Sequence, residues 1–277
     1  MGRPEHKGRL EDKGRPEDKG RLEDKVAVIT GAGHGMGAAA AARFADEGAR
    51  VLVADNDGDA AEAVAATLTG AGHEALGFAV DVRDAEAVES MVGAAVDAWG
   101  RLDVLYNNAG VSPAGDGDAT ETTEDVWDLT FDVNVKGVFL CCRAGIPAML
   151  AGGGGSIINV ASFVAHLGAA TPQLAYTASK GAVLSMTREI AAVHAREGIR
   201  ANALCPGPVL TPLLAKFMED EAQRRRRLVH IPMGRFGEID EMVNGALFLA
   251  SDESSYMTGQ SLLIDGGITS AYTTPEG

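Results

Sequence analysis

The fold is decided by residues 26–37, which read VAVITGAGHGMG. The run Val26–Thr30 is short, apolar and rich in β-branched residues, which predicts a strand buried on both faces. A glycine-rich turn follows, and GMGAAAAARFADEG (35–48) predicts an alanine-rich helix that stops at a glycine. A buried strand, a tight turn and a helix in immediate succession form the first half of a βαβ unit.

The same alternation of strand and helix continues to the end of the chain. Further strands are predicted at 50–55, 75–82, 102–107, 155–162, 199–207 and 260–267, and further helices at 56–70, 84–100, 124–150, 174–198 and 238–251. The helix at 124–150 has a possible break near Gly137, and residues 211–230 show no clear pattern. The alternation predicts a single α/β domain, a doubly wound parallel sheet of about seven strands with helices on both faces.

Composition and charge limit the classes of protein to which the chain can belong. The chain has 277 residues, of which 46% are hydrophobic, and this is enough for one sizeable core. A net charge of −15 argues against nucleic acid as a partner. The residues 144–179 carry no charge, but Pro147 and four consecutive glycines at 152–155 exclude a membrane span. No apolar leader precedes the first strand, so we expect no secretory signal.

Three cysteines are present, Cys141, Cys142 and Cys205. Their number is odd and no CxxC or Cys/His cluster occurs, so neither a disulfide framework nor a metal site is predicted. We expect Cys141 and Cys142 to be buried packing residues of the helix at 124–150. The cysteine usage indicates a reducing, cytoplasmic setting.

The glycine turn is placed to bind a pyrophosphate. Glycines between a strand and a helix let the backbone approach a ligand, and the helix N-terminus offers free N–H groups. The residues concerned are Gly31, Gly35, Met36 and Gly37. Asp55 ends the second strand, where a carboxylate can bind a ribose 2′-hydroxyl and repel a 2′-phosphate, which favours NAD over NADP. The alternative is a solvated loop acid, and a cationic His34 would tolerate a phosphate.

Two more strand ends lie at the same edge of the predicted sheet. Asp81 and Val82 follow the third strand, where Asp81 is placed to meet an adenine. The NNAG motif (107–110) follows the fourth strand and is placed to line the cofactor cleft through Asn108, Ala109 and Gly110. Each of these strand ends is also compatible with an ordinary turn.

The motif YTASK (176–180) places Tyr176 and Lys180 four residues apart on one helix face. A charge about 4 Å away contributes about 4 kcal/mol at an effective dielectric constant of about 20. This equals about three pKa units and would bring the pKa of Tyr176 close to neutrality. Such a phenol can exchange a proton with an alkoxide. Ser162, at the end of the fifth strand, can hold the same substrate oxygen, although either motif alone is also an ordinary helix or turn feature.

Together the motifs resemble those of the short-chain dehydrogenase/reductase family. TGAGHGMG (30–37), NNAG (107–110), Ser162, YTASK (176–180) and PG (206–207) occur in that family's order. The resemblance covers residues 22–270 and implies an NAD(P)-dependent oxidoreductase on a Rossmann sheet. It implies a catalytic tetrad, which maps onto Asn134, Ser162, Tyr176 and Lys180.

The resemblance also implies a role for each residue. Tyr176 is the general acid/base, Lys180 lowers its pKa and binds the nicotinamide ribose, and Ser162 polarises the carbonyl. Asn134 supports a water that relays protons to Lys180. Further cofactor contacts are implied at Pro206, Gly207, Val209 and Thr211, and no metal is required. Hydride moves between NAD(H) and a secondary alcohol or ketone, and the expected assembly is a homotetramer.

The substrate pocket is expected between the loop 163–175 and the segment at about 207–230, which resembles the family's mobile substrate lid. His166 is the main polar group of that loop and is interpreted as a packing or surface residue. Arg224–Arg227 are interpreted as a solvated surface. The alternative is a site for an anionic substrate such as a carrier-bound 3-oxoacyl chain, which would make the protein an NADPH-dependent reductase. A non-catalytic NAD-binding regulator is the alternative from another class, and the intact tetrad argues against it.

Residues 2–25 form four charged hexads that begin at Gly2, Gly8, Gly14 and Gly20. The resemblance implies that the fourth hexad is the segment leading directly into the first strand, and that the domain spans 20–277. The residues 1–19 are predicted to be a disordered extension, dispensable for activity, because they alternate in charge and contain few apolar residues.

Overall fold

A computed structural model of the chain describes residues 20–169, 171–210 and 221–271. Over these residues seven parallel strands form one sheet in the order β3-β2-β1-β4-β5-β6-β7. The strands are β1 (Val26–Thr30), β2 (Arg50–Asp55), β3 (Ala75–Ala79), β4 (Val104–Asn107), β5 (Gly155–Val160), β6 (Ile199–Pro206) and β7 (Ser261–Ile264). The predicted doubly wound parallel α/β fold is confirmed.

Helices cover both faces of the sheet. The α-helices in the described part of the chain are α1 (Gly35–Asp46), α2 (Gly58–Gly70), α3 (Ala85–Trp99), α4 (Glu124–Phe131), α5 (Val138–Ala151), α6 (Leu174–His194), α7 (Glu221–Leu228) and α8 (Ile239–Ala250). One apolar core joins the sheet to α1, α2 and α8, and another joins it to α3, α5 and α6. Alternate residues of β1 enter the two cores, with Val28 in one and Ile29 in the other. This explains why the first strand is apolar throughout.

The predicted helix at 124–150 is interrupted, as its sequence suggested. A π-helical segment, Asp132–Gly137, separates α4 from α5. A Cβ atom on Gly137 would lie 2.7 Å from Cγ2 of Val82, so the segment approaches the loop after β3 closely. By length and composition alone Glu124–Ala151 could cross a membrane, but it packs against α3, β4 and α6 as a core helix does.

Two predicted boundaries are corrected. The third strand ends at Ala79 rather than at residue 82, because the chain turns at Asp81, where the Asp84 N–H donates to the Asp81 carbonyl. The long helix predicted to reach residue 198 ends at His194 and continues as a 3-10 turn, Ala195–Glu197. Gly198 closes this turn at a φ of +85°, a conformation that only glycine adopts easily.

The fourth hexad belongs to the folded domain, whereas the predicted extension, 1–19, lies outside the described residues. Leu22 is fully buried, and the Lys25 ammonium lies 3.1 Å from the Asp252 carboxylate. The Arg21 guanidinium also pairs with Glu253. These contacts join the start of β1 to the segment after α8.

Candidate active site

The glycine turn between β1 and α1 is shaped by close contacts on one side and open space on the other. A Cβ atom on Gly37 would lie 2.1 Å from the Gly31 carbonyl oxygen, and one on Gly31 would lie 2.8 Å from Cα of Ala109. Only glycine fits at these two positions. A Cβ atom on Gly35, whose φ is +55°, would meet no described atom within 4 Å apart from its chain neighbours and its own helix. The turn therefore presents its backbone to open space.

The N-terminus of α1 is open for an anion. No side chain caps the helix at His34, and its first turn, which includes Met36, contains no acid. By contrast, Asp57, Asp84 and Thr123 cap α2, α3 and α4 with their side chains. Because uncapped N–H groups at a helix start attract phosphate, this end of α1 fits the predicted pyrophosphate site.

Asp55 is held in place by two backbone amides. The Gly33 N–H donates to Oδ2 at 2.8 Å, and the Asp57 N–H donates to Oδ1 at 3.0 Å. The side chain is 9% exposed, at the end of β2 beside the glycine turn. A carboxylate fixed in this way still has lone pairs for a ribose hydroxyl, and it cannot turn away from a 2′-phosphate.

The NNAG motif joins the ends of β4 and β1. The Asn108 amide donates to the carbonyl oxygens of Thr30 and Gly31 at 3.0 and 2.9 Å. The N–H groups of Asn108 and Ala109 both donate to the Thr30 hydroxyl. A Cβ atom on Gly110 would lie 3.4 Å from the Lys180 nitrogen, so the motif runs from the glycine turn to Lys180.

Asp81, the predicted adenine contact, is already hydrogen-bonded to a neighbouring side chain. The Arg83 guanidinium donates to both oxygens of Asp81 at 2.6 to 2.9 Å. This hydrogen bonding lowers the pKa of Asp81. Val82 is buried against the π-helical segment. An adenine at this position would share the carboxylate with Arg83.

The predicted residues at the other end of the cleft come from β6 and the segment after it. Pro206 is the last residue of β6 and pairs with Ile264. The Gly207 N–H donates to the Ile264 carbonyl at 2.9 Å, and Val209 forms a parallel bridge with Gly237. Thr211 lies outside the described residues, as does the rest of the segment 211–220 within the expected lid.

Ser162, Tyr176 and Lys180 meet where β5 ends and α6 begins. The Lys180 nitrogen is buried, donates to the Val160 carbonyl at 2.8 Å and lies 5.5 Å from the centre of the Tyr176 ring. Burial lowers the pKa of Lys180 to about 8, so part of its charge is lost just above neutral pH.

The pKa of Tyr176 corrects the sequence-based expectation. Burial of the phenol raises its pKa above the ordinary value, and a hydrogen bond with Ser162 offsets only part of that increase. The Lys180 charge does not bring the pKa of Tyr176 close to neutrality, because removing a phenolate from water costs free energy that the spacing of the two residues does not reveal.

Asn134 lies in the π-helical segment and is completely buried. Its amide oxygen accepts from the Val111 N–H at 2.8 Å, and its amide nitrogen donates to the Val111 carbonyl and to Ser179. The Ser179 hydroxyl in turn donates to the Tyr176 carbonyl at 2.7 Å. Asn134 is therefore connected to α6 through Ser179, a residue that sequence reasoning missed.

The other residues singled out in the sequence have packing or surface environments. Nε2 of His166 lies 3.8 Å from the Cys205 thiol, a packing contact beside the site. Cys141 and Cys142 are buried in α5, as expected for packing residues. Arg224 and Arg225 lie on α7 and pair with Glu221, which fits a solvated surface.

Asp116, which sequence reasoning also missed, accepts a hydrogen bond from the Tyr176 N–H at 2.8 Å.

Comparison with known proteins agrees with the motifs. Residues 31–269 match a family model described as Enoyl-(Acyl carrier protein) reductase. D-threitol dehydrogenase from Mycolicibacterium smegmatis is 41% identical, with 88% of this chain and 93% of that protein covered. The 3-oxoacyl-[acyl-carrier-protein] reductase of Thermotoga maritima is 40% identical, with 88% and 97% covered.

A solved structure gives the same result. A putative short-chain dehydrogenase/reductase from Burkholderia xenovorans superimposes with a TM-score of 0.86 at 35% identity, and the match covers 91% of this chain and 99% of that one. The relatives that match at about 40% identity include both a dehydrogenase and a reductase. The chain therefore belongs to the short-chain dehydrogenase/reductase family and is an oxidoreductase that acts on CH–OH groups.

Proposed function

We propose that this protein moves a hydride between NAD(H) and a secondary alcohol or ketone, with Tyr176 as the general acid/base. The observation that carries the proposal is the meeting of Ser162, Tyr176 and a buried Lys180 beside Gly110. A phenol, a hydroxyl and an ammonium group at one point can bind a substrate oxygen and exchange its proton. A bound nicotinamide supplies the hydride acceptor or donor.

The proposed preference for NAD rests on Asp55. Its two oxygens are fixed by the N–H groups of Gly33 and Asp57, and it lies beside the open N-terminus of α1. A fixed carboxylate can accept a hydrogen bond from a ribose hydroxyl, and it repels a phosphate at the same position. Gly31, Gly35 and the start of α1 would hold the pyrophosphate.

The protonation state of Tyr176 suits reduction. Its raised pKa keeps the phenol protonated, ready to donate to a substrate oxygen that gains charge during reduction. Oxidation requires the phenolate. Lys180, whose pKa is about 8, is mostly charged at neutral pH and favours that phenolate. Ser162 orients the substrate oxygen, and Asn134 supports the proton path to Lys180.

We also propose a homotetramer that uses the face formed by α4 and α5. Four large apolar residues of these two helices are 37 to 48% exposed, namely Trp127, Leu129, Phe139 and Leu150. Exposed apolar groups in this number favour a contact with another copy of the chain. Light scattering on the purified protein tests this, and a monomer at micromolar concentration would contradict it.

Two alternatives remain distinct from the main proposal. A reductase of 3-oxoacyl thioesters that prefers NADPH is favoured by the name of the Thermotoga maritima relative and by the exposed arginines of α7. Asp55 argues against its NADPH preference. A non-catalytic NAD-binding regulator would not need Ser162, Tyr176 and Lys180 together, so the intact set argues against that class.

A plate assay of nicotinamide absorbance distinguishes these functions. NAD(H) and NADP(H) are tested with secondary alcohols, ketones, sugars and 3-oxoacyl thioesters. Tyr176→Phe should abolish turnover because it removes the proton-transferring hydroxyl, and Tyr256→Phe, at a fully exposed tyrosine, should not change it. Turnover with NADP(H) alone would refute the Asp55 argument. Binding of NAD without turnover of any substrate would favour the regulator.

A further inference from the structure

The helix that carries Tyr176 and Lys180 is capped by a loop far away in the sequence. The Leu174 N–H donates to the Gly117 carbonyl at 3.0 Å. The Ala175 N–H donates to Oδ1 of Asp116 at 2.9 Å, and the Tyr176 N–H donates to Oδ2 at 2.8 Å. The helix's own N-cap residue, Gln173, makes no side-chain capping bond. Asp116 therefore satisfies two of the N–H groups that a helix start leaves without partners.

Asp116 is itself held in position. The Thr122 hydroxyl donates to its Oδ1 at 3.2 Å and accepts from the Gly117 N–H at 3.0 Å. The loop's other end is fixed as well, because Asn134 makes two hydrogen bonds to the backbone of Val111. The segment 111–117 thus runs from the π-helical segment to the start of α6 and is anchored at both ends.

We propose that Asp116 is a positioning residue for Tyr176. The proposal rests on the function proposed above, in which Tyr176 transfers the proton. The Asp116 carboxylate accepts hydrogen bonds from two successive backbone amides, and the second amide belongs to Tyr176. The carboxylate therefore fixes the backbone from which the phenol projects. Its negative charge also suits the positive end of the helix dipole. The start of α6 is closed by the protein's own carboxylate, whereas the start of α1 is open to a ligand.

The same loop offers a matched control. Asp118 also accepts three hydrogen bonds, from the N–H and hydroxyl of Thr120 and from the Glu121 N–H, all within the loop. Asp118→Ala therefore removes the same charge and a similar number of bonds without touching α6. Asp116→Asn keeps one acceptor oxygen and tests whether one bond to the helix gives partial rescue.

The kinetic test uses the substrate found for the wild type. A catalytic group misplaced by about 1 Å can lower the rate about 100-fold. Asp116→Ala should lower kcat by about 10-fold or more with substrate KM and the Kd of NADH nearly unchanged, and Asp116→Asn should lie between it and the wild type. The solvent isotope effect on kcat should rise in Asp116→Ala, because proton transfer becomes limiting. Asp118→Ala should change neither kcat nor the solvent isotope effect. Equal kcat values for the two alanine variants would overturn the proposal.

Hydrogen exchange supplies a readout that does not depend on activity. In Asp116→Ala the amides of residues 174–177 should exchange faster than in the wild type, and in Asp118→Ala they should not. If the wild type turns over no substrate, the proposed function fails and exchange alone decides whether Asp116 holds Tyr176. Unchanged exchange in Asp116→Ala would refute the positioning role, whatever the activity.

Discussion

Replacing Lys180 by Met should change how the stability of the protein depends on pH. The Lys180 side chain is 4% exposed, and burial lowers its pKa from 10.5 to about 8. Between these two pH values the unfolded chain binds a proton that the folded chain does not, so the folded state gains stability as pH rises. Below pH 8 both states are protonated, and the folded state bears the full cost of the buried charge. At ~1.4 kcal/mol per pKa unit, that cost is about 3 kcal/mol.

The measurement is the free energy of unfolding of both proteins in denaturant, at about pH 7 and about pH 10. The wild-type value minus the Lys180→Met value should rise by roughly 2 to 3 kcal/mol over that interval. Other titrating groups occur in both proteins, so their contributions largely cancel in the difference. Lys136→Met, which removes a lysine that is 53% exposed, is the control for the loss of a surface lysine. A flat or falling difference for Lys180→Met would refute the argument that burial controls this amine.

Two further predictions concern single buried groups. Asp55→Ser should raise kcat/KM for NADP relative to NAD by at least about tenfold, or ~1.4 kcal/mol, because it removes a fixed negative charge; an unchanged cofactor ratio would contradict this. Tyr106 is fully buried, and its hydroxyl has no partner among the described residues. Tyr106→Phe should therefore raise the free energy of unfolding by about 1 kcal/mol, measured by denaturant unfolding. A lower stability would show that the hydroxyl has a partner, such as a bound water.

The order of strands and helices could be predicted because a parallel sheet covered on both faces leaves apolar runs in the sequence. The runs at Val26–Thr30 and Arg50–Asp55 needed only local pattern to be recognised. The end of β3 was not predictable, because Val80 is as apolar as a strand residue although the chain is already turning. The π-helical segment depends on the approach of Gly137 to Val82, which is a contact between distant parts of the chain.

The candidate site was predictable where the residues form motifs of fixed spacing. Tyr176 and Lys180 are on one helix face because they are four residues apart. Asp116 could not be found in this way, since it lies 60 residues before Tyr176 in a loop with several other acids. The pKa of Tyr176 was misjudged for a related reason. Spacing gives the distance between charges, but burial becomes known only when the whole domain has formed.

The strand order has a consequence for how the chain is assembled during synthesis. After β1, β2 and β3, each new strand is added to the same growing edge, first β4 beside β1 and then β5, β6 and β7 in turn. Chains that end after β4, β5 or β6 therefore expose the edge of a strand that the complete sheet covers. Such edges recruit strands from other chains. Ribosome-bound chains that stop shortly after β4 or β5 should aggregate more readily than the full chain, although they already contain the glycine turn and Asp55.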